Sequence, residues 1–92
     1  MLYVLDTETN GLLDELDRIW IAVALSVDQS HEVIFCDLMV LESGGVEVRP
    51  LKDLPKFMSD EASGLIGHNI VGFDLMAIEK VLGYRHQSLD KV

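Results

Sequence analysis

The stretch Leu2-Tyr3-Val4-Leu5-Asp6-Thr7-Glu8-Thr9-Asn10-Gly11 decides how the rest of this chain is read. Leu2 to Leu5 is wholly apolar, which predicts a short central strand covered on both faces. Two acids, Asp6 and Glu8, follow where that run ends. Side chains on a strand alternate between faces, so residues two apart point the same way. Both carboxylates are therefore expected on one face at the sheet edge, where ligands bind in open α/β sheets. Asn10-Gly11 then signals a turn.

Beyond that turn, Asp14 to Arg18 is a polar link. Ile19 to Val27 is rich in β-branched and aromatic residues and predicts a long second strand. Asp28 to His31 is a short polar connection, and Glu32 to Leu38 predicts a third strand. Two strands so close are most simply an antiparallel hairpin. Ser43-Gly44-Gly45 breaks the pattern, and Val46 to Val48 is a brief extended piece. Asp53 is expected to cap a short helix through Met58, with Pro55 in its first turn. Leu54, Phe57 and Met58 give that helix one apolar face. Leu65 to His68 predicts a short strand and Gly72 to Leu82 a helix, with Gly83 as its C-terminal cap. The order strand, strand, strand, helix, strand, helix points to an α/β domain, a mixed sheet flanked by helices, over residues 1–92. The apolar sides of the last helix ask for more cover than the residues after Gly83 supply, so the domain is expected to be partial.

Ninety-two residues make one small domain or part of one. The net charge of −9 is high for that length. It should repel a nucleic-acid backbone unless cations or a basic partner intervene. It does not argue against a metal site, which gathers carboxylates. The single cysteine, Cys36, lies in an apolar run and reads as a buried structural thiol. There is no basic leader, and no run approaches the roughly twenty apolar residues of a membrane helix. A cytoplasmic protein is expected.

Two adjacent carboxylates repel each other, and a nearby cation is the natural remedy. Hard divalent ions take oxygen ligands. Two such ions about 4 Å apart can activate water on one side and stabilise a leaving oxygen on the other. With sixteen acids in the chain, an Asp-x-Glu alone also arises by chance. A solvated strand end, with Glu8 or Asn10 capping a turn, explains it equally well. A second segment, Gly67-His68-Asn69-Ile70-Val71-Gly72-Phe73-Asp74-Leu75, adds a third carboxylate. Each of its residues has an ordinary explanation. Asp74 suits the first turn of a helix, Asn69 and Gly72 suit a loop and cap, His68 suits a packed or hydrogen-bonded histidine, and Phe73 suits the core.

Together the two segments resemble the DnaQ-like, or DEDD, 3′→5′ exonuclease family. Asp6-Thr7-Glu8-Thr9 with Asn10-Gly11 is similar to its first motif. Asn69-Ile70-Val71-Gly72-Phe73-Asp74 is similar to its second, and their order and separation also fit. The nearest likeness is to the N-terminal half of the proofreading exonuclease domain of phage family A DNA polymerases. The resemblance implies a ribonuclease H-like sheet with flanking helices, here as the first half of the domain. It implies two divalent ions, Mg²⁺ or Mn²⁺, and hydrolysis of terminal phosphodiesters at the 3′ end of single-stranded DNA. Asp6, Glu8 and Asp74 would be catalytic metal ligands. Asp6 would bridge both ions, Glu8 would hold one and receive the 3′-hydroxyl, and Asp74 would complete the other shell, partly through water. Thr7 and Leu12 would contact the terminal nucleotide, and Asn69 and Phe73 would shape the path of the single strand.

The family's third motif, a Tyr or His four residues before a final Asp, has no clear counterpart. His86 and Asp90 have that spacing but follow the second motif too soon. The expectation is a truncated or split exonuclease domain, inactive alone and completed by a polymerase or a complementary exonuclease half. The alternative is a catalytically silent module that docks on a polymerase, nuclease or other nucleic-acid-binding protein. Under-covered apolar faces also predict self-association into a homo-oligomer.

Overall fold

A computed structural model describes residues 1–37, 46–87 and 89. It is a small α/β domain built on a five-stranded mixed sheet. The strands are β1 (Leu2–Thr9), β2 (Ile19–Ser26), β3 (Glu32–Phe35), β4 (Glu47–Arg49) and β5 (Gly64–Ile66). Two helices accompany them, α1 (Leu54–Lys56) and α2 (Leu75–Leu82). The order across the sheet is β4-β3-β2-β1-β5. β1 pairs antiparallel with β2, and β2 pairs antiparallel with β3, which is the expected hairpin. β1 pairs parallel with β5, and β3 pairs parallel with β4.

β1 is longer than its apolar run. The strand continues through both acids, with Asp6 opposite Val23 and Glu8 opposite Ile21. The carboxylates thus lie within the sheet rather than beyond its end. On its other side β1 is paired only along Leu2, Tyr3 and Val4, because β5 stops at Ile66. The acidic half of β1 is therefore flanked by β2 on one side and by the turn after β5 on the other.

The core lies on one face of the sheet. Tyr3, Leu5, Ala22, Ala24, Val33 and Phe35 point into it. They meet Leu51, Leu54, Phe57 and Met58 from the first helical stretch and Leu75 and Ile78 from α2. Phe57 is fully buried, its ring 4.8 Å from that of Tyr3 and 5.2 Å from that of Phe35. The expectation that β1 is covered on both faces is corrected here. Leu2, Val4 and Ile66 remain 44%, 41% and 46% exposed. An apolar run permits cover on both sides, but both described helices pack on the same layer. The thiol of Cys36 is buried, as expected.

The first helical stretch starts earlier than expected. A 3₁₀ turn at Leu51–Asp53 leads into α1, and a wider π-type turn follows at Phe57–Glu61. Asp53 is itself helical (φ −86°, ψ −8°) and its side chain caps nothing. Pro50, extended at φ −65° and ψ 151°, sets the start, and the Leu51 N–H donates to Asp37 Oδ1 at 3.0 Å. The cap thus comes from the end of the neighbouring strand. The last helical stretch covers the expected Gly72 to Leu82 and starts slightly earlier, with a wide π-type turn at Ile70–Asp74 that runs directly into α2. Gly83 ends α2 as expected, in the left-handed region at φ 72°, its N–H on Glu79 O at 3.0 Å. The third strand ends at Phe35, short of the expected Leu38, since Cys36 and Asp37 already lie outside it; Leu38 itself, the break at Ser43-Gly44-Gly45 and the residue Asp90 lie outside the described residues. Among the described residues no helix is long and apolar enough to cross a membrane.

Phe57 joins the two layers, so its truncation opens a cavity the sheet cannot close. Phe57→Ala is expected to lower unfolding free energy by about 3–5 kcal/mol in urea titration. A loss below about 1 kcal/mol would show that this ring is not central to the core.

Candidate functional site

The candidate site lies at the carboxyl ends of the two parallel neighbours β1 and β5. Alternation along β1 gives its side chains two roles. Tyr3, Leu5 and Thr7 are buried on the core face, while Asp6 and Glu8 are exposed on the opposite one. The expectation that the two acids share a face is met.

Asp74 arrives from the other side of the strand. The chain leaves β5 at Gly67, where there is little room. An added Cβ would lie 3.0 Å from the Leu5 carbonyl oxygen and 3.1 Å from Ile70 Cβ. Glycine therefore lets the turn press against the middle of β1. The turn is organised by the Asn69 carbonyl, which accepts from the Phe73 N–H at 2.8 Å and the Asp74 N–H at 3.4 Å. The Asn69 side chain folds over Gly72, whose absent Cβ would sit 2.5 Å from Asn69 Oδ1. The result is a wide first turn that carries Asp74 inward.

Asp74 is 6% exposed, and its Oδ1 accepts a hydrogen bond from the Thr7 hydroxyl. β5 has already ended at this level, so Asp74 partners the Thr7 hydroxyl of β1 where no strand continues. Burial raises the Asp74 pKa, hydrogen bonding from Thr7 lowers it, and the nearby Asp6 charge raises it; the net direction is upward.

Thr7, expected to contact a terminal nucleotide, is instead 7% exposed and engaged with Asp74. Its place on the core face follows from the same alternation that exposes Asp6 and Glu8. Leu12 is 74% exposed on the loop after β1. That loop is closed by Asn10, whose Oδ1 accepts from the Asp17 and Arg18 N–H groups at 3.1 Å each. It is tied to α2 where Lys80 Nζ donates to Leu13 O at 2.6 Å. Asn69 is exposed and Phe73 half-buried, beside Asp74.

Sequence reasoning took Asn10 as a turn signal and missed its clasp of the loop. The Asn-Gly pair followed by polar residues was the available clue. The Thr7–Asp74 bond had no local signal, since its partners lie far apart in the chain.

Among the described residues, no group of three His, Cys, Asp or Glu side chains is close enough to hold a metal ion. The trio is thus brought to one region without forming a closed cage. Asp6 and Glu8 offer an oxygen-only pair on the open face, a donor set that suits a hard divalent ion. Asp74 stands across β1, near enough for the Asp6 charge to act on it. No protein-family model and no curated protein matches this chain.

An acid whose folded pKa is raised holds its proton more tightly when folded. Its contribution to stability is full below the unfolded pKa and is lost as pH rises through the folded one. Asp74→Asn keeps an acceptor for Thr7 and removes the charge. In chelator, its melting temperature is expected to gain on wild type as pH rises from acid to neutral. A gap that does not change with pH would show that Asp74 is not the titrating group.

Proposed function

We propose that this chain is part of a metal-dependent 3′→5′ exonuclease of proofreading type that acts on single-stranded DNA. The observation that carries this reading is the placement of Asp6 and Glu8 on one face of β1, with Asp74 docked against the same stretch of strand. The likeness of both segments to the first two motifs of the DnaQ-like family supports it. The strand order β4-β3-β2-β1-β5, with β1 parallel to β5, also suits the first part of a ribonuclease H-like sheet.

In this reading Asp6 and Glu8 would hold Mg²⁺ or Mn²⁺ at the exposed face, and Asp74 would add its carboxylate from the turn. The ions would supply an activated water and charge neutralisation at the scissile phosphate. The remaining work belongs to the chain. Thr7 holds Asp74 in one orientation, so its charge is aimed before substrate arrives. The closed loop after β1 presents Leu12 as an exposed apolar contact for the terminal nucleotide. Phe73 and Asn69 border the path of the single strand. With a net charge of −9, little of the binding can come from the bare protein surface. Substrate affinity should therefore depend on the divalent ion. We place this activity in the cytoplasm, that of the host if the chain is phage-encoded.

A second reading is favoured by the open face of the sheet. Leu2, Val4 and Ile66 are exposed side by side there, in register across β1 and β5. Contiguous apolar exposure of this kind marks an interaction surface. A catalytically silent exonuclease-like module that docks on a polymerase, a nuclease or a complementary exonuclease half would use that face. It would bind its partner without needing a divalent ion.

The exonuclease reading is tested by binding of a 3′-labelled single strand with and without Mn²⁺, beside Asp6→Ala. Mn²⁺ is expected to tighten binding at least about tenfold in wild type, the scale of losing one ligand shell. The variant should lose that gain, and any turnover should release nucleoside monophosphates. Binding that ignores both Mn²⁺ and Asp6 would contradict the proposal.

A further inference from the structure

The pairing of β1 with β2 is regular from Tyr3 opposite Ser26 to Glu8 opposite Ile21, and then slips so that Thr9 faces Ile19. Trp20 is the extra residue of this bulge. Bulges re-aim side chains and are over-represented beside active sites. This one lies directly across from Glu8 and Thr9, about one strand spacing of 4.8 Å away in backbone terms.

The re-aimed side chain is the chain's one tryptophan, and it is 42% exposed. Strict alternation from the core residues Ala22 and Ala24 would turn Trp20, the second residue of β2, into the core. Here the Arg18 guanidinium lies over its ring, 5.0 Å from the centroid. Such pairs occur about once in 70–80 residues, so the pair alone decides little. Its setting says more. Arg18 is held at its backbone by Asn10, the residue that closes the loop after the two acids. Trp20 and Arg18 line a groove of about 280 Å³ with Ile19, Leu51 and Asp37. Asp37 is engaged by the Leu51 N–H at 3.0 Å. Among the described residues Arg18 is the one cation lining that groove.

We propose that Trp20 and Arg18 form a stacking subsite for a base of the single strand whose 3′ end lies at Asp6 and Glu8. This rests on the exonuclease reading and adds a positioning pair to it. An aromatic face accepts any base, and an arginine beside it serves both the base plane and the adjoining phosphate. On a surface as acidic as this one, a guanidinium beside the stacking ring also favours where a polyanion can settle. The bulge would then set the direction in which the strand leaves the carboxylates.

Because Trp20 is the sole tryptophan, its emission reports the subsite directly. A short oligothymidylate, titrated in Ca²⁺, should quench it saturably, and an abasic strand of the same length should not. Anisotropy of a labelled oligothymidylate should show Trp20→Leu binding about tenfold more weakly, the size of one lost base stack. Trp20→Phe should recover most of the affinity, and Arg18→Ala should weaken it several-fold. Thermal melting in the presence of Mn²⁺ reports the carboxylates separately. Mn²⁺ stabilisation without base-dependent quenching would overturn the subsite and leave the exonuclease reading standing. Quenching without Mn²⁺ stabilisation would support the subsite and remove the nuclease. Equal quenching by the abasic strand would also overturn the proposal.

Discussion

The contact between the Thr7 hydroxyl and the buried Asp74 carboxylate joins two segments that are far apart in sequence. The arrangement of the candidate site depends on it. Thr7 sits between Asp6 and Glu8, and a strand sends every second side chain to the opposite face. The same three residues therefore do two things. Asp6 and Glu8 face outward, free to take a ligand, while Thr7 faces inward and anchors the third acid. Without the inward bond, Asp74 would be a buried carboxylate with its desolvation uncompensated, and the turn that carries it would have no reason to stay down.

Several features of the fold serve that contact. β5 ends at Ile66, which leaves polar groups of β1 open where Asp74 enters. Gly67 permits the close passage over the Leu5 carbonyl, and the wide turn at Ile70–Asp74 directs the carboxylate inward before α2 begins. Leu75 and Ile78, immediately beyond it, are buried in the core with Phe57 and Phe35. The packing of α2 and the placing of Asp74 are thus one event. A net upward shift in the Asp74 pKa is the electrostatic consequence, since burial and the Asp6 charge outweigh the hydrogen bonding from Thr7. A divalent ion at Asp6 would reverse the sign of that neighbouring charge.

Much of this was legible in the chain. Four of the strands were legible because strand periodicity and β-branched content survive in isolation, as at Ile19 to Val27, whereas β4, read only as a brief extended piece, owes its place to pairing with β3. The shared face of Asp6 and Glu8 followed from spacing alone. Gly83 was readable because a left-handed cap needs glycine. Other features were not local. The start of the first helical stretch at Leu51 depends on Asp37, a residue from another element, so the nearer Asp53 was the natural but incorrect cap. The buried role of Thr7 depends on Asp74. The half-open sheet could not be foreseen from Leu2 to Leu5, because an apolar run records what a strand tolerates and not how many layers cover it. Trp20 was read as one more strand residue, since a bulge is set by the register of two strands together.

The central proposal is that Thr7, by holding Asp74 against β1, positions it to support a divalent ion taken up by Asp6 and Glu8. The most direct test is Mn²⁺ binding by calorimetry to wild type, Thr7→Ser and Thr7→Val. Wild type should bind saturably, Thr7→Ser should retain that binding, and Thr7→Val should lose about tenfold in affinity, as expected when the partner that orients a ligand is removed. No saturable binding in wild type, or equal affinity in Thr7→Val, would contradict it.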